Sequence, residues 1–403
     1  MKQRFQSVLG VALWLALGTL SAAQEKEVRV FREGDKWVQE TSGNLPAGRM
    51  LKLYSAMGGV QVRGDANASA VTYKVRKIVH RSSEDEAKRE FATFNVGAGR
   101  KGEWAIVSGD WVGPRPRRSR MSVEYVVTMP KDTDQVRLET LGGPVGVYAV
   151  RGKAYAQTAG GGISADDIGE SLHASTLGGN IEVGRVNGDV NLTTAGGNIT
   201  IGNVGGKIVA VTSGGTVQVQ KGGQSVRVET AGGSIGVKEC GDLIATTAGG
   251  TIEVGDVNGW ARLESAGGGI RLLSAKGLVR ASTQGGGIKL ARLTSGVRAE
   301  TANGPIEAEF IAAKIGETHL ATTTGDIVVY LPSDIAVTIQ AAIELSNGHK
   351  IHSEFPGLRI VTEGSNFGPR QVFGEGSLNG GGAVMKVHTS NGNIYFKRTK
   401  SGR

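Results

Sequence analysis

Residues 176–183 read Thr-Leu-Gly-Gly-Asn-Ile-Glu-Val, and residues 194–201 read Thr-Ala-Gly-Gly-Asn-Ile-Thr-Ile. The pattern Thr-x-Gly-Gly-x-Ile-x-Val recurs every 18 residues, with one step of 17 between Thr230 and Thr247. A fixed period of this length is typical of a solenoid, in which each repeat buries its apolar face only by stacking on its neighbours. The repeats start at Thr140, Thr158, Thr176, Thr194, Thr212, Thr230, Thr247, Ser265, Thr283 and Thr301.

Within each repeat, numbered from its Thr, apolar residues alternate with polar ones. Positions 6 and 8 are aliphatic, as in Ile181 and Val183, and positions 15 and 17 repeat the alternation, as in Val190 and Leu192. A period of two indicates strands with one buried face. Position 11, such as Val186, supplies a third inward point. The sequence therefore predicts an all-β fold, a parallel β-solenoid (β-helix) of about ten 18-residue coils, with right-handed coiling and three sides rather than two.

Three features of the repeat predict specific details of the structure. The Gly-Gly pair at positions 3 and 4 predicts a corner with positive φ, where a Cβ is costly. The Thr at position 1 predicts a column of hydroxyls linked along the rod axis, and Cys240, at position 11, predicts a buried core residue. A calcium-binding β-roll of the same period needs Asp after its Gly-rich turn. Glu182, Thr200 and Arg271 stand there, so no calcium and no other cofactor is expected.

The chain divides into four parts. Residues 1–23 have the basic start, apolar stretch and small-residue cleavage site of a signal peptide. Residues 24–139 predict a β-rich N-terminal cap with one short helix beginning near Ser83, because an open solenoid end needs covering. Residues 140–322 are the repeats. Residues 323–403 predict a continuation of the solenoid and a second cap, with a mobile Gly-rich loop from Gly364 to Gly382.

Composition and targeting bear on location and partners. The predicted signal peptide, and the lack of a later apolar segment long enough to span a membrane, favour an exported protein that is periplasmic, bound to the cell surface or secreted. Cys240 is the single cysteine, so an intrachain disulfide is excluded. The net charge of +9 favours acidic partners.

The motifs resemble those of the bacterial putative-adhesin family, a group of exported β-solenoid domains of unknown function of the autotransporter-like adhesin head type. The resemblance runs from about Met50 to Phe396. It rests on Val-Gln-Val-Arg-Gly at 60–64, on Tyr-Val-Val-Thr-Met-Pro at 125–130, on the repeats, and on Thr-Ser-Asn-Gly-Asn-Ile at 389–394. It implies association with the cell surface or envelope, and it implies no catalytic residues.

The candidate ligand-binding residues are basic side chains in three successive coils. Arg262, Arg280 and Arg298 occupy outward position 16, so we expect a ladder of like charges about 4.8 Å apart. Glu264 and Glu300 neutralise part of it, whereas Ser282 leaves Arg280 without a partner. Arg271, Lys289 and Arg292 add positive charge to the neighbouring face. Together the six predict a site for a polyanion; the alternative is a solvated face whose charges keep rods apart.

A second basic cluster lies in a Pro-containing loop at Arg115, Arg117, Arg118 and Arg120. It indicates either a solvated loop or contact with an anionic surface. The aromatic residues that single-stranded nucleic-acid sites use are missing there, and export also argues against nucleic acid.

Evidence for catalysis or a metal site is weak. A polysaccharide-degrading β-helix needs paired carboxylates, and Glu253 and Asp256 lie coils away from Glu182 and Asp189. His349 and His352 lack further metal ligands around them. We therefore expect no catalytic residues and no metal.

The sequence thus favours a non-enzymatic, exported, adhesin-like protein. Its solenoid surface is expected to bind an anionic glycan, another envelope component or another surface protein. A structural envelope scaffold and, less favoured, a β-helix polysaccharide lyase or hydrolase are the alternatives.

Overall fold

The computed structural model of the chain describes residues 26–114, 120–364 and 370–399. The predicted signal peptide and three arginines of the second basic cluster, Arg115, Arg117 and Arg118, lie outside the described residues. Within those residues the strands form two sheets of 18 strands each, here called sheet I and sheet II. The predicted β-solenoid is confirmed.

The elements follow the repeat closely. The first part of the chain has β1 (Glu27–Glu33), β2 (Lys36–Pro46), β3 (Met50–Ser55), β4 (Gly59–Asp65), β5 (Ala70–Val79), α1 (Glu84–Phe91), β6 (Phe94–Lys101), β7 (Trp104–Trp111) and β8 (Ser122–Pro130). The repeats form β9 (Gln135–Thr140), β10 (Val145–Val150), β11 (Lys153–Thr158), β12 (Ile163–Ile168), β13 (Leu172–Thr176), β14 (Ile181–Val186), β15 (Val190–Thr194), β16 (Ile199–Val204), β17 (Ile208–Thr212), β18 (Val217–Gly222), β19 (Ser225–Thr230), β20 (Ile235–Cys240), β21 (Asp242–Thr247), β22 (Ile252–Val257), β23 (Ala261–Ser265), β24 (Ile270–Ala275), β25 (Val279–Thr283), β26 (Ile288–Leu293), β27 (Val297–Asn303), β28 (Ile306–Phe310), β29 (Thr318–Thr324) and β30 (Ile327–Leu331). The last part has β31 (Val337–Ile343), β32 (Ile351–Ser353), β33 (Arg359–Glu363), β34 (Gln371–Leu378), β35 (Val384–Asn391) and β36 (Ile394–Arg398).

Each coil, called a rung from here on, contributes one strand to each sheet. Strands one repeat apart pair in parallel: Ile181 of sheet I faces Ile199, and Val190 of sheet II faces Ile208. The third inward point belongs to sheet I as well, since Val186 ends β14 and faces Val204 in β16. The expected third side is therefore wrong: the strands of each rung lie in two sheets. Right-handed coiling stays a prediction.

The inward side chains of the two sheets meet in one continuous hydrophobic core. Cys240 is 1% exposed, as predicted, and burial raises the pKa of its thiol to about 12. A thiol with so high a pKa is protonated at neutral pH and a poor nucleophile. Its role is packing.

The predicted threonine column is present, but its hydroxyls are linked through the glycines rather than to one another. Thr212 is 2% exposed, and its hydroxyl donates a hydrogen bond of 2.8 Å to the carbonyl oxygen of Gly197 in the preceding rung. The hydroxyl oxygen of Thr212 in turn accepts a hydrogen bond from the N–H of Gly215 at 3.2 Å. A hydroxyl can both donate and accept, which explains Thr, or Ser at 265, at this buried corner.

The position-4 glycines also stack in a column, here called the glycine column, for a reason other than the one predicted. Positive φ occurs at Gly143, Gly304 and Gly325. Throughout the column, however, the backbones of successive rungs approach closely: a Cβ on Gly215 would lie 2.0 Å from the carbonyl oxygen of Gly197. The position-3 neighbour Gly214 is not crowded, since its Cβ would lie 3.6 Å from the nearest oxygen. Close approach, not dihedral freedom, requires glycine at position 4.

Both ends of the rod contain a rung inserted out of chain order. At the N-terminal end, β3 lies between β7 and β9, and β4 lies between β8 and β10. At the C-terminal end, β35 lies between β29 and β31, and β36 lies between β30 and β32. Solenoid rungs therefore extend into both predicted capping regions, and the last strands of the chain are interior ones.

Antiparallel strands close the two ends. β5 pairs with β8 and β2 on sheet I, and β6 pairs with β7 on sheet II. At the far end β34 pairs with β31 and with β33. The expected mobile loop from Gly364 to Gly382 is thus wrong for residues 371–378, which form β34. Part of that stretch, residues 365–369, lies outside the described residues.

The predicted short helix is confirmed as α1 and covers a buried lysine. Ser83 is its N-cap, and the Ser83 hydroxyl accepts from the N–H of Glu86. Lys77, 6% exposed, donates to the carbonyl oxygens of Phe91, at 2.9 Å, and of Phe94. Burial, and to a lesser degree the charge of Lys26, lower the pKa of Lys77 from 10.5 to about 8. The N-terminal cap thus holds an ammonium group whose charged form is disfavoured by folding.

We expect the N-terminal cap to become more stable as the pH rises from about 8 to about 10.5. In that window the unfolded state holds the Lys77 proton and the folded state has released it, so the free energy of unfolding increases, by about 1–3 kcal/mol in total. Urea unfolding at several pH values, followed by the fluorescence of Trp37, Trp104 and Trp111, measures it. Lys77→Met should remove the rise; an unchanged pH dependence in that variant would contradict the assignment.

Candidate functional site

The three predicted arginines lie side by side on sheet II. Arg262 in β23 faces Arg280 in β25, and Arg280 faces Arg298 in β27. Parallel pairing holds neighbouring strands about 4.8 Å apart, so the three guanidinium groups leave the same face in a row. The solenoid register alone produces this juxtaposition, since the residues are 18 apart in sequence.

The row continues beyond the predicted residues. Arg298 faces His319 in β29, and His319 faces Lys386 in β35. Arg262, Arg280, Arg298, His319 and Lys386 are called the basic column from here on. Because of two irregularities, the 18-residue period does not predict the last two members. The coil between Arg298 and His319 has 21 residues, and Lys386 belongs to the rung inserted out of chain order.

Neutralisation within the basic column is uneven. Arg262 pairs with Glu264 at 2.6 Å, and Arg298 pairs with Glu300 at 2.7 Å. Between them Arg280 lies next to Ser282, and among the described residues Arg280 has no ion-pair partner. Like charges in neighbouring strands repel each other. The middle one of the three arginines therefore carries an exposed, uncompensated positive charge.

The surroundings of His319, near the C-terminal end of the column, lower its pKa. Burial lowers the pKa of His319, and the charges of Arg298, His388 and Lys386 act in the same direction, whereas Glu300, 3.6 Å away, opposes them. His388 itself lies 3.1 Å from Glu344. At neutral pH His319 is therefore mostly uncharged, and the fixed positive charge is that of the three arginines and Lys386.

The other three predicted residues lie on sheet I, which faces away from sheet II across the core. Arg271 faces Lys289 in the next rung, and Lys289 pairs with Glu307 at 3.0 Å. Arg292 reaches back two rungs to Asp256, at 2.9 Å. The six predicted residues thus form two groups on different faces, and the sheet I group is largely neutralised. The expectation of a single combined site was wrong in this respect, because the solenoid has two sheets.

A shallow groove adjoins the sheet I group. It has a volume of about 350 Å³, and its lining includes Glu253, Arg271, Lys289 and Glu307. Acidic residues at both ends of this row balance the two cations. The groove therefore lacks the net positive charge that a polyanion needs.

Three outward acids, Asp166, Asp167 and Asp189, connect neighbouring parts of the rod. Asp166 accepts from the N–H of Arg185 at 2.8 Å, and Asp189 accepts from the N–H of Lys207 at 2.8 Å. Asp167 pairs with Lys131 at 2.8 Å, which lowers the pKa of its carboxyl. Each of these carboxylates ties one rung to another.

His349 and His352 each contact a neighbouring side chain. His352 stacks on Tyr395 with ring centroids 5.0 Å apart, and His349 bonds to Asn391 at 2.8 Å. In the described part of the chain, no group of three His, Cys, Asp or Glu residues is close enough together to hold a metal ion. A search of the same residues finds no helix of the length and apolarity that crossing a membrane requires.

Comparison with solved structures finds similar chains, two of which are described below. No protein-family model matches the chain, and no curated protein sequence matches it. The chain is similar to a putative cell adhesion protein from Clostridium sporogenes ATCC 15579, with 10% identity over 94% of this chain and 100% of that one, at a TM-score of 0.16. It is also similar to a putative adhesin from Bacteroides fragilis NCTC 9343, with 11% identity over 89% of this chain and 97% of that one, at a TM-score of 0.20. Neither similarity assigns a function to this chain.

Proposed function

We propose that the protein is an exported, non-enzymatic binding protein of the adhesin type. Its basic column holds an anionic glycan or another anionic component of the cell envelope or the extracellular surface. The observation that carries the proposal is the row of Arg262, Arg280 and Arg298 on one flat sheet, with Arg280 uncompensated at its centre. A linear polyanion lying along the rod axis would meet a cation at each rung.

Two further observations support this choice. The extension of the row to His319 and Lys386 lengthens the site beyond what one ion would need. Three of the outward acids, Asp166, Asp167 and Asp189, are engaged in hydrogen bonds or ion pairs between rungs. Release of reducing sugar from a panel of polysaccharides would contradict the non-enzymatic part of the proposal.

We expect the triple variant Arg262→Glu, Arg280→Glu, Arg298→Glu to bind heparin and isolated cell envelopes about tenfold or more weakly at physiological salt. The reason is that three attractive charges become repulsive. Binding of the unaltered protein should also weaken as salt is raised, because exposed charges are screened. Surface-coupled heparin and envelope sedimentation provide the two measurements.

The control is a triple variant with the same change in charge at exposed residues outside the basic column, Lys153→Glu at the start of β11 and Lys207→Glu and Lys276→Glu between strands. It should keep most of the binding. Equal loss in both variants would mean that net charge, not the basic column, governs association. Absence of binding by the unaltered protein would favour the structural envelope scaffold.

A further inference from the structure

A second surface site lies on the N-terminal half of sheet II, away from the basic column. It is a groove of about 300 Å³, here called the neutral groove, formed across β11, β13 and β15. Two outward rows of side chains line it. One row has Tyr155, His173 and Asn191, and the other has Gln157, Ser175 and Thr193.

An aromatic pair forms one wall of the neutral groove. The rings of Tyr155 and His173 are 5.1 Å apart between centroids and inclined at 61°. Tyr155 is half-buried and His173 is exposed, so both keep part of their ring surface open to a ligand. Flat rings beside polar groups suit ligands with one apolar face and many hydroxyls, which is the character of a pyranose ring.

The polar side chains of the groove are free. Among the described residues, the side chains of Gln157, Ser175, Asn191 and Thr193 make no hydrogen bond to the protein. Elsewhere similar side chains are engaged: Asn180 accepts from the N–H of Asn198, and Asn198 accepts from the N–H of Thr216, each at 2.9 Å. Amide and hydroxyl groups both donate and accept, as sugar hydroxyls do. The groove thus offers matching hydrogen-bond partners in rows along the rod axis.

The neutral groove also has little net charge. Arg137, at its N-terminal end, forms an ion pair with Glu139 two residues on. Partial burial of the ring lowers the pKa of His173, which favours its uncharged imidazole. Such a surface offers a polyanion little electrostatic attraction, whereas the binding of an uncharged ligand does not depend on that attraction.

We propose that the neutral groove binds an uncharged oligosaccharide, which lies along the rod axis with successive sugar residues over successive rungs. Tyr155 and His173 contact the sugar faces, and the amides of Gln157 and Asn191 bond to sugar hydroxyls. The residue length of an extended pyranose chain is close to the strand spacing of a sheet, so one register can serve several rungs. This site shares no residue with the basic column, and either proposal can fail without the other.

The test is isothermal titration calorimetry of the purified protein with cellohexaose, N-acetylated chitohexaose and maltohexaose. We expect at least one of them to bind with little dependence on salt. Tyr155→Ala should weaken that binding about tenfold or more, and Asn191→Ala should weaken it as well. Tyr148→Ala is the matched control, since Tyr148 is a similarly half-buried tyrosine on sheet I. The basic-column triple variant is the second control, and both should bind as the unaltered protein does.

Two results would overturn the inference: binding of none of the three oligosaccharides, or binding that Tyr155→Ala and Asn191→Ala leave intact. Loss of saccharide binding in the basic-column triple variant would place the site on the basic column instead. Circular dichroism of each variant separates loss of binding from loss of fold.

Discussion

Gly215→Ala should destabilise the middle of the rod by several kcal/mol, although it adds a single methyl group. The new Cβ would lie 2.0 Å from the carbonyl oxygen of Gly197, which is backbone and fixed by the hydrogen bond from Thr212. The two rungs must separate to relieve the clash, and separation breaks the ladder on both sheets. Overpacking of this kind typically costs about 1–3 kcal/mol, and more where neighbours cannot move.

The neighbouring residue provides the control. Gly214→Ala puts its Cβ 3.6 Å from the nearest oxygen, at a backbone dihedral that alanine accepts, and should be neutral or slightly stabilising. Thermal unfolding, together with hydrogen exchange of β16–β19, measures both variants, because a repeat array need not unfold in one step. Equal stability of the two variants would show that the glycine column is not under steric constraint.

Truncation after Ala383 should detach the whole C-terminal cap. It removes β35 and β36, which lie between β29 and β31 and between β30 and β32. Five buried side chains leave with them, namely Met385, Val387, Thr389, Ile394 and Phe396. β31 and β34 then lose the strand that joins them to the rod. We expect the hydrogen-exchange protection of β31 and β34 to fall by orders of magnitude, with aggregation through the exposed edges of β29 and β30.

An internal deletion of similar length is the control. Removing residues 194–211 joins Thr193 to Thr212, and every later strand meets an equivalent partner one rung earlier, such as β18 beside β14. This variant should stay folded and protected, and its rod should be shorter by about 4.8 Å. A truncated protein in which β31 and β34 stay protected would mean that the cap holds without the inserted rung.

The fold was predictable because its information is local and repeated. Alternation at positions such as Ile181 and Val183 fixes the strands, and the period of 18 fixes their register. The number of sides was not predictable in the same way, since an inward residue at position 11, such as Val186, fits a separate third strand equally well. The positions of the inserted rungs at the two ends depend on the strands with which distant segments pair. No pattern within β35 specifies its pairing partners.

The candidate site was predictable only where the period is regular. Arg262, Arg280 and Arg298 follow the 18-residue step, so their adjacency could be counted. His319 and Lys386 break the step, and the two-sheet geometry separates Arg271, Lys289 and Arg292 from the column. The sequence contains one sign of the neutral groove, since Tyr155, His173 and Asn191 are also 18 residues apart. That the polar side chains of the groove are free of hydrogen bonds can be recognised only in the structure.

The inserted C-terminal rung also determines how the protein meets mechanical force. A pull on the C-terminus enters the rod through β36, whose two neighbours, β30 and β32, both run parallel to it. The load is then shared by ladders on both sides and acts along the strands, so several hydrogen bonds must shear together. A strand at the free end of a sheet would instead peel away one bond at a time. β36 therefore lies at a point of the rod that is suited to carrying tension.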